Sequence, residues 1–130
     1  SLWNGGQIFL RSSKDTQITG NEVIAAGPGV HGISLRGGDA PLNGPNCGSI
    51  DLRNVTASNN VVRLDTSDLH GTVGGAAGFA NAYNVKFLGN TYYLQSLTGV
   101  YFWHDAAQSS MTKDQWLAAG QDVSGRFLQQ

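Results

Sequence analysis

The sequence predicts an all-β fold: a solenoid of parallel strands stacked over about four turns, with a short C-terminal helix. Three observations carry this. Gly accounts for 18 of 130 residues and charged residues for only 13%, while eight of the nine acids are Asp. This is about twice the usual ~7% glycine and half the usual ~25% charge, and Asp favours turns and caps over helix interiors. A ten-residue pattern then recurs without gaps at Asp15–Ile24 (DTQITGNEVI), Asn54–Arg63 (NVTASNNVVR) and Asn84–Tyr93 (NVKFLGNTYY). Finally, Ile8-Phe9-Leu10-Arg11 and Ile33-Ser34-Leu35-Arg36 show the same apolar alternation 25 residues apart.

Each ten-residue window opens on Asp or Asn. Its sixth and seventh positions are Gly20-Asn21, Asn59-Asn60 and Gly89-Asn90. Gly or Asn followed by Asn suits a tight corner with a left-handed residue, flanked by short extended segments. In a stack such corners lie above one another, so Asn21, Asn60 and Asn90 are expected to form a ladder of side-chain amides. The windows fall 39 and then 30 residues apart. The turn-rich stretch GGDAPLNGPNCG explains the longer gap as an insertion over about residues 37–48.

Side chains alternate between faces along a strand. Ile8, Leu10, Ile33, Leu35, Val100 and Phe102 are therefore expected inside, and Phe9, Arg11, Ser34, Arg36, Tyr101 and Trp103 outside. Further inward columns are Thr16 with Val55 and Val85, Ile18 with Ala57 and Phe87, and Val23 with Val62 and Tyr92. Thr72–Ala82 is too glycine-rich to read as a strand and is expected to be a packed loop. The strand turns are placed in residues 1–105 and a capping tail in residues 106–130. The tail carries a helix over about residues 113–119, with Thr112 as N-cap, Gln115 completing a capping box, and Met111 positioned to staple against Trp116. Gly120 is its stop. So short a helix needs a partner surface, and it is expected to cover the edge of the last turn.

Net charge is −1 and the pI about 6.2, which offers no footprint for nucleic acid or an anionic membrane. A single Cys excludes an internal disulfide or a thiolate metal cluster. No run of about 18 apolar residues is present.

The corners ITGNEVI and VKFLGNTYY, the strand GVHGISLRG, and the ending NTYYL, GVYFW and WLAAGQDVSG resemble the C-terminal turns of bacterial right-handed parallel β-helix proteins of the pectate-lyase-like superfamily. The resemblance covers nearly the whole chain. It implies a right-handed stack, an extracellular or cell-surface setting, and a polysaccharide partner. It also implies either further turns preceding Ser1 or another chain stacked on the first turn. Members include lyases, hydrolases, epimerases, tailspikes and adhesins, so activity has to be argued from the site.

Outward residues on stacked strands form rows about 4.8 Å apart that can align with a polymer. Arg11 and Arg36 occupy equivalent outward positions, where an anion between them, whether Asp39, Asp51 or a substrate carboxylate, would relieve their repulsion. His31, Arg36 and Asp39 are the catalytic candidates, suited to general acid and base work or to proton abstraction beside a uronate carboxylate. The plainer alternatives are a structural histidine and local Arg–Asp pairing. Arg11, Tyr101 and Trp103 are the substrate-binding candidates, because outward aromatics offer flat apolar surfaces to sugar rings. Tyr92, Tyr93 and His104 extend that face, whose alternative role is burial beneath the Trp116 helix. Asp65, Asp68 and His70 could flank a glycosidic bond or share Ca²⁺, or serve as corner caps. No cofactor is expected. Asn54-Val55-Thr56 matches a glycosylation pattern but lies within the repeat, and GGAAGFA lacks the Lys of a phosphate loop.

Overall fold

Alternation of apolar and polar residues, broken at Gly and Asn, produces short strands joined by sharp corners. The computed structural model describes residues 7–11, 13–26, 31–36, 52–65, 73–76, 84–104 and 109–130. Its strands are β1 (Ile8–Arg11), β2 (Lys14–Thr19), β3 (Glu22–Ala26), β4 (Ile33–Arg36), β5 (Arg53–Ser58), β6 (Val61–Asp65) and β7 (Val73–Ala76). They are followed by β8 (Val85–Leu88), β9 (Thr91–Leu94), β10 (Val100–His104), β11 (Ser109–Thr112), helix α1 (Lys113–Ala118) and β12 (Arg126–Gln129).

Three sheets result, in the orders β1-β4-β7-β10-β11, β3-β6-β9-β12 and β2-β5-β8. Among the described residues every pairing is parallel except that of β10 with β11. From β2 to β10 the chain visits the three sheets three times in the same order, and each strand from β1 to β7 pairs in parallel with the one three places later.

The register follows the sequence repeat. Thr16 faces Val55 and then Val85, Ile18 faces Ala57 and then Phe87, and Val23 faces Val62 and then Tyr92. Ile8 pairs with Ile33 and Leu10 with Leu35. All of these from Ile18 onward in the columns are buried, as are Ile33 and Leu35, while Ile8 and Leu10 pack against the core from its edge. Thr16 is only half-buried and turns its hydroxyl to the Lys14 carbonyl. The corners have the backbone that Gly and Asn favour: φ is +71° at Gly20, +55° at Asn59 and +65° at Gly89.

Three expectations are corrected. Within the glycine-rich stretch, Val73–Ala76 is strand β7, paired in parallel with β4 on one side and β10 on the other. Backbone hydrogen bonds from two neighbours stabilise a strand that its own side chains would not. Tyr101 does not face out; it is 2% exposed, beside the equally buried Phe102. Pairing of β10 with β11 jumps from Val100–Thr112 to Phe102–Met111, so Tyr101 is an extra residue in a β-bulge, which interrupts the alternation of faces. Its ring folds over Gly99, where an added Cβ would lie 2.6 Å from Tyr101 Cε2. Ser34, also expected outside, is 0% exposed, a small side chain beside the buried Ile33 and Leu35 on a strand paired along both edges.

The C-terminal segment does more than cap. β11 extends one sheet and β12 pairs in parallel with β9, so residues 109–130 contribute to two sheets. Helix α1 has the expected capping box: Thr112 Oγ1 accepts from Gln115 N–H, and Gln115 Oε1 accepts from Thr112 N–H. Gly120, at φ +86°, ends the helix, with its N–H donating to Leu117 O and that of Gln121 to Trp116 O, the pairing of a Schellman motif. Trp116 is fully buried, 5.4 Å from the Phe87 ring and 5.2 Å from that of Phe102. Tyr92 joins the cluster, 5.1 Å from Phe102 and 5.3 Å from Phe127.

Candidate functional site

The asparagine corners form the ladder the repeat predicts. Asn21 donates its backbone N–H and side-chain amide to Asn60 Oδ1, both at 3.0 Å. Asn60 does the same to Asn90 Oδ1, both at 2.9 Å. Each interior rung also reaches back, Asn60 Nδ2 to Ile18 O and Asn90 Nδ2 to Ala57 O. Side chains thereby satisfy corner backbone groups that no strand partner reaches.

The ladder continues to a residue the repeat does not predict. Asp122 Oδ1 accepts the backbone N–H of Asn90 at 3.0 Å and its Nδ2 at 2.8 Å. Asp122 Oδ2 accepts Tyr92 Oη–H at 2.6 Å and Trp116 Nε1–H at 3.0 Å. The carboxylate is 0% exposed, yet four donors meet its lone pairs, so it is stabilised without a cation among the described residues. Burial first, then the charge of Asp122 and its hydrogen bond, push the Tyr92 hydroxyl well above the ordinary phenol value, against a smaller opposing effect of Asn90. Tyr92 therefore stays protonated and keeps donating. The Asp122 side chain thus closes the ladder while tying Tyr92 and Trp116 to its last rung.

Glycine makes this arrangement possible. β12 pairs Arg126 with Thr91, which sets Gly125 in the place after Asn90 where another Asn would stand. A Cβ at Gly125 would lie 2.9 Å from Asn90 O and 3.0 Å from Asp122 Cβ. Its absence leaves room for Asp122, at φ +49°, to supply the acceptor from three residues earlier.

A second ladder runs along the outer corner. Asn84 Nδ2 donates to Asn54 Oδ1 at 2.8 Å, and Asn54 Nδ2 to Asp15 Oδ1 at 2.7 Å. All three residues have left-handed backbones, with φ of +50° to +53°. The recurring Asp or Asn opening each window is its signal in the sequence. The donors run towards the N-terminal strands here and towards the C-terminal strands in the inner ladder.

Of the catalytic candidates, His31 is buried just ahead of β4, where its carbonyl accepts Gln7 N–H at 2.9 Å. Arg36 ends β4, its backbone paired with Arg11 and Ala76, so the two arginines are equivalent strand positions at the backbone level. The Arg11 and Arg36 side chains lie outside the described set, as do Asp39, Asp51, Asp68, His70, the insertion at 37–48 and the side chain of Asp65. The grouping of His31, Arg36 and Asp39 therefore lies largely outside the described residues. No group of three metal-ligating side chains occurs among them either.

Of the binding candidates, Tyr101 is buried as described. Trp103 is half-buried and lies in a row across four strands, Phe9–Ser34–Gly74–Trp103, with aromatics at its ends and small residues between. The β3-β6-β9-β12 sheet carries an outward row, Ile24–Arg63–Tyr93–Leu128. There the Arg63 guanidinium lies 4.1 Å from the Tyr93 ring centroid, and its Nε is 3.3 Å from Glu22 Oε1. One row over are Glu22, Val61, Thr91 and Arg126. Alternation along β6 and β9 is the signal that could have placed Arg63 and Tyr93 together. Tyr92, grouped with the aromatic face in sequence, is instead a core residue.

No family model, curated protein or solved structure matches the chain. No helix among the described residues is long and apolar enough to cross a membrane.

Proposed function

We propose that the chain forms the C-terminal turns of an extracellular, right-handed parallel β-helix resembling the pectate-lyase-like superfamily, and that it binds or degrades a polysaccharide. The observation behind this reading is the repeated order of the three parallel sheets, which sets outward side chains in rows one strand spacing, about 4.8 Å, apart. Such rows suit a polymer with repeating units. Trp103 and the Arg63–Tyr93 row supply aromatic and guanidinium surfaces of the kind that pack on sugar rings. Binding is assigned to Arg11, Arg36 and Trp103, and catalysis to His31, Arg36 and Asp39, without a cofactor.

A glycan array probed with the wild type, Trp103→Ala and Arg36→Ala tests binding. A retained glycan lost by at least about tenfold in one variant supports the proposal. Absence of binding, or binding indifferent to both changes, removes it. Assays on uronate polymers for unsaturated products separate a lyase from a binder.

A second reading, a non-catalytic structural or adhesive solenoid, draws on Asp122. This buried carboxylate is committed to four structural donors. The second reading predicts no turnover and no glycan retention that depends on Trp103 or Arg36.

A further inference from the structure

The outward face of the β3-β6-β9-β12 sheet carries two rows, Glu22–Val61–Thr91–Arg126 and Ile24–Arg63–Tyr93–Leu128. All eight residues are exposed or half-exposed, with Ile24 at 56% and the Glu22 and Arg63 side chains at 63% and 38%. The rest of the chain therefore leaves this face open. Parallel strands in register set the members of a row one strand spacing, about 4.8 Å, apart. Glu22 and Arg126 stand at opposite ends of their row, three spacings or about 14 Å apart at the backbone. Glu22 meets Arg63 instead, its Oε1 lying 3.3 Å from Arg63 Nε. Among the described residues no acceptor meets the Arg126 guanidinium. The pattern along the two rows is acid, apolar, hydroxyl, cation, and beside it apolar, cation, aromatic, apolar.

We infer that this face binds a second copy of the chain across a two-fold axis that lies between β6 and β9 and runs parallel to the strands. Such a rotation keeps strand direction and reverses strand order, so each row meets its own copy back to front. Glu22 then faces the partner's Arg126, Val61 the partner's Thr91, Ile24 the partner's Leu128 and Arg63 the partner's Tyr93. Charge meets opposite charge, apolar meets apolar and guanidinium meets ring, and the axis repeats every contact. Glu22 uses Oε1 for Arg63, and its Oε2 takes the partner's Arg126. Aligned sheets pack about 10 Å apart, a gap that opposed Glu, Arg and Tyr side chains span. The other face-to-face two-fold, with its axis along a row, would press Glu22 and Arg126 against the partner's Ile24 and Leu128 and leave both charges unpaired. A face four strands wide is smaller than permanent dimers bury, so association is weak and reversible, with a Kd on the order of 100 µM. The face belongs to a different sheet from Arg11, Arg36 and Trp103, and docking here is independent of any glycan.

Sedimentation equilibrium tests the docking through charge. The weight-average mass of the natural chain is expected to rise from 13.7 kDa towards twice that value between about 10 µM and 1 mM. Glu22→Arg sets two arginines against each other across the axis, and Arg126→Glu sets two glutamates. Each variant alone is expected to have its Kd raised at least about tenfold. Mixed in equal amounts, the two are complementary at both ends of the row, and a heterodimer within about threefold of the natural Kd is expected. Both positions are exposed, so neither change is expected to disturb folding. A natural chain that stays monomeric up to about 1 mM overturns the inference. So does association that survives Arg126→Glu, which would place the contact elsewhere, and so does a mixture no more associated than its two components.

Discussion

The Asn21 end and the Asp122 end of one ladder use the same hydrogen-bonding grammar to opposite effect. At Asn21 both amide hydrogens are bound, to Asn60 Oδ1 and Thr19 O, and no donor meets Oδ1 among the described residues, where β1, β2 and β3 come first in their sheets. At Asp122 an acceptor-only carboxylate collects four donors, and a tryptophan and a helix lie over it. An amide propagates a ladder because it carries both polarities, whereas a carboxylate ends one because it carries a single polarity. Stability should therefore be concentrated towards the Asp122 end.

Asp122→Ala should break the comparison most severely. It strands buried donors on Asn90, Tyr92 and Trp116, and a loss of about 4 kcal/mol is expected, read by urea denaturation. If the loss stays below about 1 kcal/mol, the terminus is not where the ladder is anchored. Next, Asn60→Ala removes a buried rung and should cost about 2–3 kcal/mol, whereas Asn21→Ala, at the first rung, should cost about 1 kcal/mol or less. Equal costs would erase the difference between interior and edge.

Tyr92→Phe is expected to cost about 1.5 kcal/mol at neutral pH, a hydrogen bond to a charged group. It also has a pH signature. Because the folded Tyr92 hydroxyl is held above its ordinary value, the folded state keeps a proton that the unfolded chain releases. Its contribution is complete below about pH 10 and declines above it, by about 1.4 kcal/mol per pH unit. Alkaline denaturation should be shallower in Tyr92→Phe by that slope, and identical slopes would show that Tyr92 does not hold its proton there. Thr112→Ala is expected to have an effect as small as that of Asn21→Ala. It removes the N-cap of α1 and should cost about 1 kcal/mol, seen as a Tm drop of a few degrees with the ladder otherwise intact.

Some of this was legible beforehand for a physical reason. Parallel strands stacked in register turn an alignment of sequence windows into an alignment of residues in space, so the columns Ile18–Ala57–Phe87 and Val23–Val62–Tyr92 and the rungs Asn21–Asn60–Asn90 could be read by writing three windows under one another. The helix was legible because its capping signals lie within four residues of each other. Asp122 was not, since it stands three residues before the position that the register assigns to the next corner and reaches the rung only through the gap left by Gly125. The candidate site was the least legible. Burial of Tyr101 depends on a bulge created by pairing with β11, whereas Arg63 and Tyr93, the last residues of two aligned windows, could have been paired from the repeat.

The sequence by itself determined where strands turn, which residues share a column and where the helix begins, because these depend on local backbone preference and on periodicity. Only the tertiary structure decided that Val73–Ala76 is a strand, that Tyr101 and Ser34 are buried, and that one carboxylate gathers Asn90, Tyr92 and Trp116. Each of these is set by groups distant in sequence. Hydrogen bonds from neighbouring strands and the exclusion of water around a buried charge take their strength from surroundings that no window of residues contains.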